Sequence, residues 1–166
     1  MTMPGGRSDA LGRAERSWKD LDQLIGPLSD EQLARPGRDG WAIKDHLAHL
    51  AAWELSLVAL LEGRDRSAAM GVPEAADLDT DELNGRLFTL HRDLPPAGAR
   101  ALLERANDQV RTALAGLSND DLQRPYAHYQ PLAEGPSSAD PVVGWVAGNT
   151  FDHVEEHRQL IAEMIP

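Results

Sequence analysis

Two histidines, His153 and His157, stand four residues apart in the stretch "GNTFDHVEEH". On a helix, that spacing offers two imidazoles to a single metal ion. On a helical wheel both fall within about 20° of Val146, in the middle of the apolar face. Imidazole nitrogens there are costly unless they are paired or bound to something. A third histidine, His49, lies eight residues after Trp41, as His153 lies eight after Trp145. The chain has no cysteine, so thiolate ligands, disulfides and a cysteine nucleophile are excluded. Three imidazoles leave one or two coordination positions for water or substrate, the arrangement of a catalytic metal site. The bland alternative is that these histidines are polar residues satisfied inside a helical core. His91 and His128 show no partner pattern, and Glu54 and Glu156 read as surface charges.

The likeness of His49 to His153 extends along the chain. "LSDEQLARP" (28–36) matches "LSNDDLQRP" (117–125) at an offset of 89, with five identities. Gly40-Trp41 and His49 match Gly144-Trp145 and His153 at an offset of 104, the difference being an insertion around residues 126–140. Each half reads as helix, capped turn ending Arg-Pro, Gly-Trp, helix. Such a pair cannot bury its apolar face alone, and a twin related by a pseudo-two-fold axis covers it. Wheel geometry places His46 nearer the apolar centre of its helix than His49. The repeat nevertheless selects His49, because it is the counterpart of His153. At the same offset Trp53 is the counterpart of His157, so the first copy withholds a fourth imidazole and sets an apolar wall in its place.

The elements that must position these residues follow from apolar spacing. Leu11, Ala14, Trp18, Leu21 and Ile25 predict a helix over about 9–26. Ser29 with Gln32 predicts a capping box for a short turn stopped by Pro36-Gly37. A helix over about 42–62 ends at Gly63, a loop follows, and Asp79 with Glu82 caps a helix over about 80–91. Two more helices are expected over about 97–116 and 142–164, with a Pro/Gly/Ser-rich loop at 126–141 between them. No sustained period-2 run predicts a strand.

Composition sets the outer bounds. The 166 residues fit one domain, with residues 1–8 expected to be flexible, and 42% apolar content suffices for a core. There is no signal-peptide h-region and no run long enough to span a membrane, so a cytoplasmic protein without membrane partners is expected. The net charge of −11 and the lack of a Lys/Arg cluster lead to the expectation of no nucleic-acid partner.

"GWAIKDHLAHLAAWE" and "GNTFDHVEEH" resemble the signature segments of the DinB-like four-helix-bundle superfamily. "LSDEQLARPGRDGW" is most similar to its ClbS/DfsB-type branch. The resemblance covers about residues 10–164. It implies an all-α four-helix bundle in up-down-down-up order, its two helical pairs joined by a long crossover carrying the 80–91 helix. Many members hold a divalent metal on three histidines, which by position are His49, His153 and His157. The resemblance implies activities as varied as thiol S-transfer with mycothiol or bacillithiol, maleylpyruvate isomerisation, and self-protection against a genotoxic metabolite.

Together these readings lead to a metal-dependent enzyme acting on a small electrophilic molecule by thiol transfer or hydrolysis. Zn or Ni is favoured, with Mn or Fe next, and any thiol must be an external low-molecular-weight one. Trp53, Tyr126, Tyr129 and Asn149 are assigned to the substrate pocket, and a homodimer is allowed for. Two alternatives stand beside this reading: a ClbS-like protein that sequesters or detoxifies a small toxic metabolite without metal, and a structural helical module.

Overall fold

The computed structural model describes residues 3–132 and 135–165. Two expectations reach beyond these limits: residues 1–2 of the flexible N-terminus and residues 133–134 of the inserted loop lie outside the described residues. The described chain is all-α. Four long helical stretches are α1 (Arg7–Ile25), α3 (Ile43–Leu61), α6 (Pro96–Ala115) and a last stretch broken into α9 (Val143–Asn149) and α10 (Phe151–Met164). Short helices fill the connections: α2 (Asp30–Ala34), α4 (Arg66–Met70), α5 (Thr80–His91), α7 (Asn119–Gln123) and α8 (Tyr126–Tyr129). There is no strand among the described residues, only two isolated bridges, Pro36–Ala42 and Pro125–Pro141. The segments expected as plain loops, 63–79 and 126–141, thus hold α4, α8 and two 3₁₀ turns, Ala75–Asp77 and Pro136–Ala139.

The duplicated segments build matching parts. Ser29 Oγ accepts from Gln32 N (3.2 Å) while Gln32 Oε1 accepts from Ser29 N (2.9 Å). Ser118 and Asp121 form the same reciprocal pair at the start of α7, at 3.1 and 2.9 Å. Leu33 and its counterpart Leu122 are both fully buried, and each Arg-Pro turn ends in one of the two bridges. At the offset of 104, Leu50 and Leu57 correspond to Val154 and Ile161, and all four are core residues.

The long helices cap one another. Arg7 Nη1, at the start of α1, donates to the carbonyls of Ala115 (3.2 Å) and Leu117 (3.0 Å) at the end of α6. Arg100 Nη2, in the first turns of α6, donates to Ile25 O (2.7 Å) at the end of α1. These contacts set α1 and α6 antiparallel and satisfy carbonyls that a helix end leaves open. Arg7 N also donates to Asn119 Oδ1 (2.8 Å), so residue 7 of the segment expected to be flexible is tied down.

α3 is buried almost all round. One side packs on α6 and the main core. The other is covered by the crossover, where Met70, Val72, Leu83 and Leu87 pack against Ala52. This second layer explains why residues at the edge of the α3 apolar stripe are nevertheless inside. Glu54, expected at the surface, is also fully buried, but on the side of α1, where its Oε1 accepts from Trp18. α3 closes at Gly63, whose φ of +67° lets Arg64 N reach Ala59 O at 2.8 Å.

Candidate functional site

The break in the last helix falls at Thr150, with φ −125° and ψ −107°. Its fully buried hydroxyl donates to Val146 O, so the side chain competes with the backbone for a helical carbonyl. After the break, α10 carries His153 and His157 one turn apart toward α3. His46 and His49 face them from α3. His49 Nε2 lies 3.1 Å from His153 Nε2, and His46 Nδ1 lies 2.8 Å from His157 Nδ1. The numbers rise along α3 as they fall along α10, so these two helices are antiparallel.

The metal-ligand triad of the sequence reading is brought together: His49, His153 and His157 each present a nitrogen within 4.8 Å of the others. Two observations test whether an ion fits. Two imidazole nitrogens at about 2.0–2.1 Å from one tetrahedral ion lie about 3.3 Å apart, close to the His49–His153 separation. His49 Nδ1 and His153 Nδ1 are buried with no hydrogen-bond partner. Neither Nδ1 is turned to a protein group, so both rings direct Nε2 at the same point, 3.1 Å apart. With both protons on Nδ1, two Nε2 lone pairs face each other, a contact that repels unless a cation lies between them. The set fits a divalent metal.

Burial keeps these rings neutral. It pushes His49 down to about 3, with His153 and His46 adding to the effect, and His153 down to about 4. Burial, then the neighbouring His49, His153 and His46, pushes His157 down to about 2. His46 is also lowered by burial, against the pull of Asp39 and Asp45. Neutral imidazoles carry the lone pairs that a metal requires.

A cavity of about 790 Å³ opens onto the triad. Trp53, Trp145 and Asn149 line it, together with Asp140 and Pro141 from the insertion and Asn84 from α5. Asn84 Oδ1 accepts from Trp53 Nε1 at 3.3 Å. Of the four residues assigned to a substrate pocket, Trp53 and Asn149 therefore stand in this wall. Tyr126 lies one layer behind it, its ring 4.6 Å from that of Trp145 and its hydroxyl accepting from Arg66 at 3.0 Å. Tyr129 is buried elsewhere, its hydroxyl donating to Asp121 O at 2.8 Å. His128 is exposed beside Arg124, and His91 Nδ1 contacts Leu87 O within its own helix. Glu156 is exposed at the cavity.

Sequence reasoning missed three contributors. Asn84 and Phe88 come from α5, expected to lie outside the bundle; Phe88 stacks on Trp41 at 5.2 Å, and Trp41 in turn contacts His46 and His49. The third is His46. Its position on the wheel was the available signal, and it was outweighed by the repeat. Trp41 and Trp145 also differ in setting: α3 begins two residues after Trp41, whereas α9 begins two residues before Trp145.

Comparison with known proteins adds three kinds of finding. The family model of the DinB superfamily matches residues 13–161. No curated protein matches the chain in sequence. Solved structures share the fold. A protein from Streptococcus pneumoniae superposes with a TM-score of 0.79 at 12% identity, covering 98% of this chain and 92% of its own. The colibactin self-resistance protein ClbS, solved in complex with a dsDNA, gives 0.76 at 12% identity, covering 98% and 97%. DfsB, described as a sibling lethal factor precursor, gives 0.68 at 18% identity, covering 96% and 94%. The ClbS complex corrects the expectation that nucleic acid is excluded. A net charge sums the whole surface, whereas a duplex touches one face, so −11 does not exclude a nucleic-acid partner for this fold. No helix among the described residues is long and apolar enough to cross a membrane.

Proposed function

Because the chain belongs to the DinB superfamily and gathers three neutral histidines beside a cavity, we propose that it is a metal-dependent enzyme. In this reading His49, His153 and His157 hold one divalent ion, and a small electrophilic molecule enters the cavity for thiol transfer or hydrolysis. The observation that carries the reading is the convergence of three imidazole nitrogens within 4.8 Å. When bound, the ion supplies Lewis acidity toward a water, a thiol or a substrate oxygen. Trp53 and Trp145 give the substrate apolar surface and exclude water from one side. Asn149 donates its Nδ2 to Trp145 O at 2.8 Å, which fixes the amide at the cavity wall. Any thiol comes from solution, since the chain has no cysteine.

The test is the metal content of untagged protein after incubation with Zn, Ni, Mn or Fe at neutral pH and removal of free ion. One ion per chain is expected. Absence of stoichiometric metal overturns the reading.

The likeness to ClbS and DfsB favours a second reading, in which the same cavity captures a toxic small molecule without metal. Protection that survives replacement of His153 by Ala favours this reading over the first. The ClbS complex adds a duplex-binding measurement to that comparison, by fluorescence anisotropy with labelled dsDNA.

A further inference from the structure

His46 stands outside the metal triad yet is only 3% exposed, and its Nδ1 lies 2.8 Å from Nδ1 of His157. Nδ1 of both His49 and His153 is buried without a partner, so among the described residues His157 is the triad member whose far nitrogen is held. His46 is itself fixed. The Trp41 ring sits 5.2 Å away on one side and the His157 ring 5.0 Å away on another. Its position also differs from that of the triad. His49, His153 and His157 line the cavity described above, whereas His46 lines a second cavity of about 730 Å³ with Gln32, Arg38 and Asp39. The His46–His157 contact is where the two cavities approach each other.

A neutral imidazole carries one N–H and one lone pair, and which nitrogen carries the proton is set by the hydrogen bond the other makes. Of the two directions open to this contact, one makes His157 a ligand through Nε2. If His157 Nδ1–H donates to His46 Nδ1, the lone pair of His157 is on Nε2. If His46 donates, the proton of His157 sits on Nε2 and blocks ligation there. We propose that His46 is a positioning residue that accepts the Nδ1–H of His157 and so holds His157 in the tautomer and rotation that present Nε2 to a divalent metal. The Nε2–H of His46 is then left to the polar wall of the second cavity. This inference rests on the metal reading of the triad and adds a role for a residue outside it.

The experiment compares wild type with His46→Leu, which removes the acceptor, and His46→Asn, whose Oδ1 replaces Nδ1 as an acceptor. Zn²⁺ affinity is measured by competition with a chromophoric chelator, and the d–d absorption of the Co²⁺-loaded proteins reports the ligand set. Partners that orient a ligating histidine typically contribute about 10–100-fold to metal affinity. His46→Leu is expected to weaken Zn²⁺ by about that factor while keeping one ion per chain and the wild-type Co²⁺ spectrum. His46→Asn is expected to recover most of the loss. Long-range ¹H–¹⁵N correlation spectra of the metal-free wild type, independent of both variants' folding, should show the His157 proton on Nδ1. A proton on Nε2, or affinity unchanged within two-fold in a folded His46→Leu protein, overturns the proposal. Complete loss of stoichiometric binding, or an altered Co²⁺ spectrum, in both variants makes His46 a ligand, which also overturns it. A wild type that binds no Zn²⁺ or Co²⁺ fails at the metal reading itself, whatever the tautomer.

Discussion

Trp53 and His157 hold corresponding places in two copies of one motif, and the histidine cluster lies between them. The Trp53 ring is 6.2 Å from that of His153, and the His157 ring is 4.7 Å from that of His49. Each copy thus reaches across to the histidine of the other. The apolar positions of the halves agree closely: Leu33 with Leu122, Leu50 with Val154, Leu57 with Ile161. The differences are polar. His46 corresponds to Thr150, Trp53 to His157, Glu54 to Arg158, and Trp18 to Asn107. A symmetric core supplies the frame, and a few substitutions on it make the site one-sided, with three converging imidazoles and an indole where the other half has His157.

The largest expected effect comes from removing that asymmetry or the ligands themselves. His153→Ala or His157→Ala should abolish stoichiometric metal binding while far-ultraviolet circular dichroism stays helical, because the bundle rests on its Leu, Ile and Val positions. Trp53→His makes the two copies alike at this position. It should keep or tighten metal binding but lower turnover, since a fourth imidazole occupies the open position. A Trp53→His protein as active as wild type removes the argument that the indole keeps the site open.

The second contrast is between Glu54 and Arg158. Arg158 forms a bidentate pair with Glu155 at 2.7 and 2.8 Å, half exposed to water. Glu54 is enclosed, with Oε1 accepting from Trp18 Nε1 at 2.7 Å and Oε2 unpartnered. Burial pushes its carboxyl up to about 8, against the smaller effect of the Trp18 bond. At neutral pH the folded state therefore holds a proton that the unfolded state, near 4.5, releases. Stability from this group is full below pH 4.5 and is lost as pH rises through 8, on the order of 5 kcal/mol in all. Glu54→Gln should flatten that loss and be more stable than wild type at pH 8.5 by urea denaturation. Wild type and Glu54→Gln changing in parallel between pH 6.5 and 8.5, above the histidine window, would show the carboxyl to be ionised throughout.

The histidines slope the other way. Their folded values of about 3, 4 and 2 lie below the ordinary 6.5, so the unfolded chain takes up protons first on acidification. Protein stripped of metal should lose stability as pH falls from 6.5 toward 4, and His153→Ala should lose less over the same window. A wild type as steep as the variant in parallel melts would sink this assignment.

The sequence made much of this frame legible, because capping boxes and apolar spacing are local. The 80–91 helix has the expected limits, and the α1, α3 and α6 boundaries fall within two residues of the spacing-based reading. The triad was legible for a different reason: the repeat identified His49 as the partner of His153. Tertiary facts were not legible. Nothing local announces that Trp18 of α1 encloses Glu54, or that the crossover covers the second face of α3 and brings Asn84 and Phe88 to the site. The wheel and the repeat disagreed over His46 and His49, and both rings entered the cluster. The wheel reports burial, the repeat reports correspondence, and they picked residues with different contacts. The inserted loop had no counterpart in the first half to fix its reading, and Tyr126 and Tyr129 were assigned from residue type alone.

The smallest effects test whether the two halves carry equal weight. Ser29→Ala and Ser118→Ala remove the same oxygen from corresponding boxes, and each should cost about 1 kcal/mol, a fall in melting temperature of about 3 °C for a chain of this length. The boxes differ in their third residue. Gln32 is neutral, whereas Asp121 is a carboxylate whose bonds from Ser118 N and Oγ hold it below the usual 3.8. A carboxylate in a helix's first turn also meets the positive end of the helix dipole. Its contribution is present above pH 3.8 and is lost as pH falls through the lowered value, while the Gln32 box does not titrate. The two variants should therefore melt together at pH 7, and below pH 3.5 the Ser118→Ala penalty should shrink while the Ser29→Ala penalty does not. Calorimetric melts of both variants at the two pH values decide it. Penalties that differ severalfold at pH 7 would mean that the matching boxes sit in halves of unequal importance to the fold, and that the symmetry of the sequence is not a symmetry of its energetics.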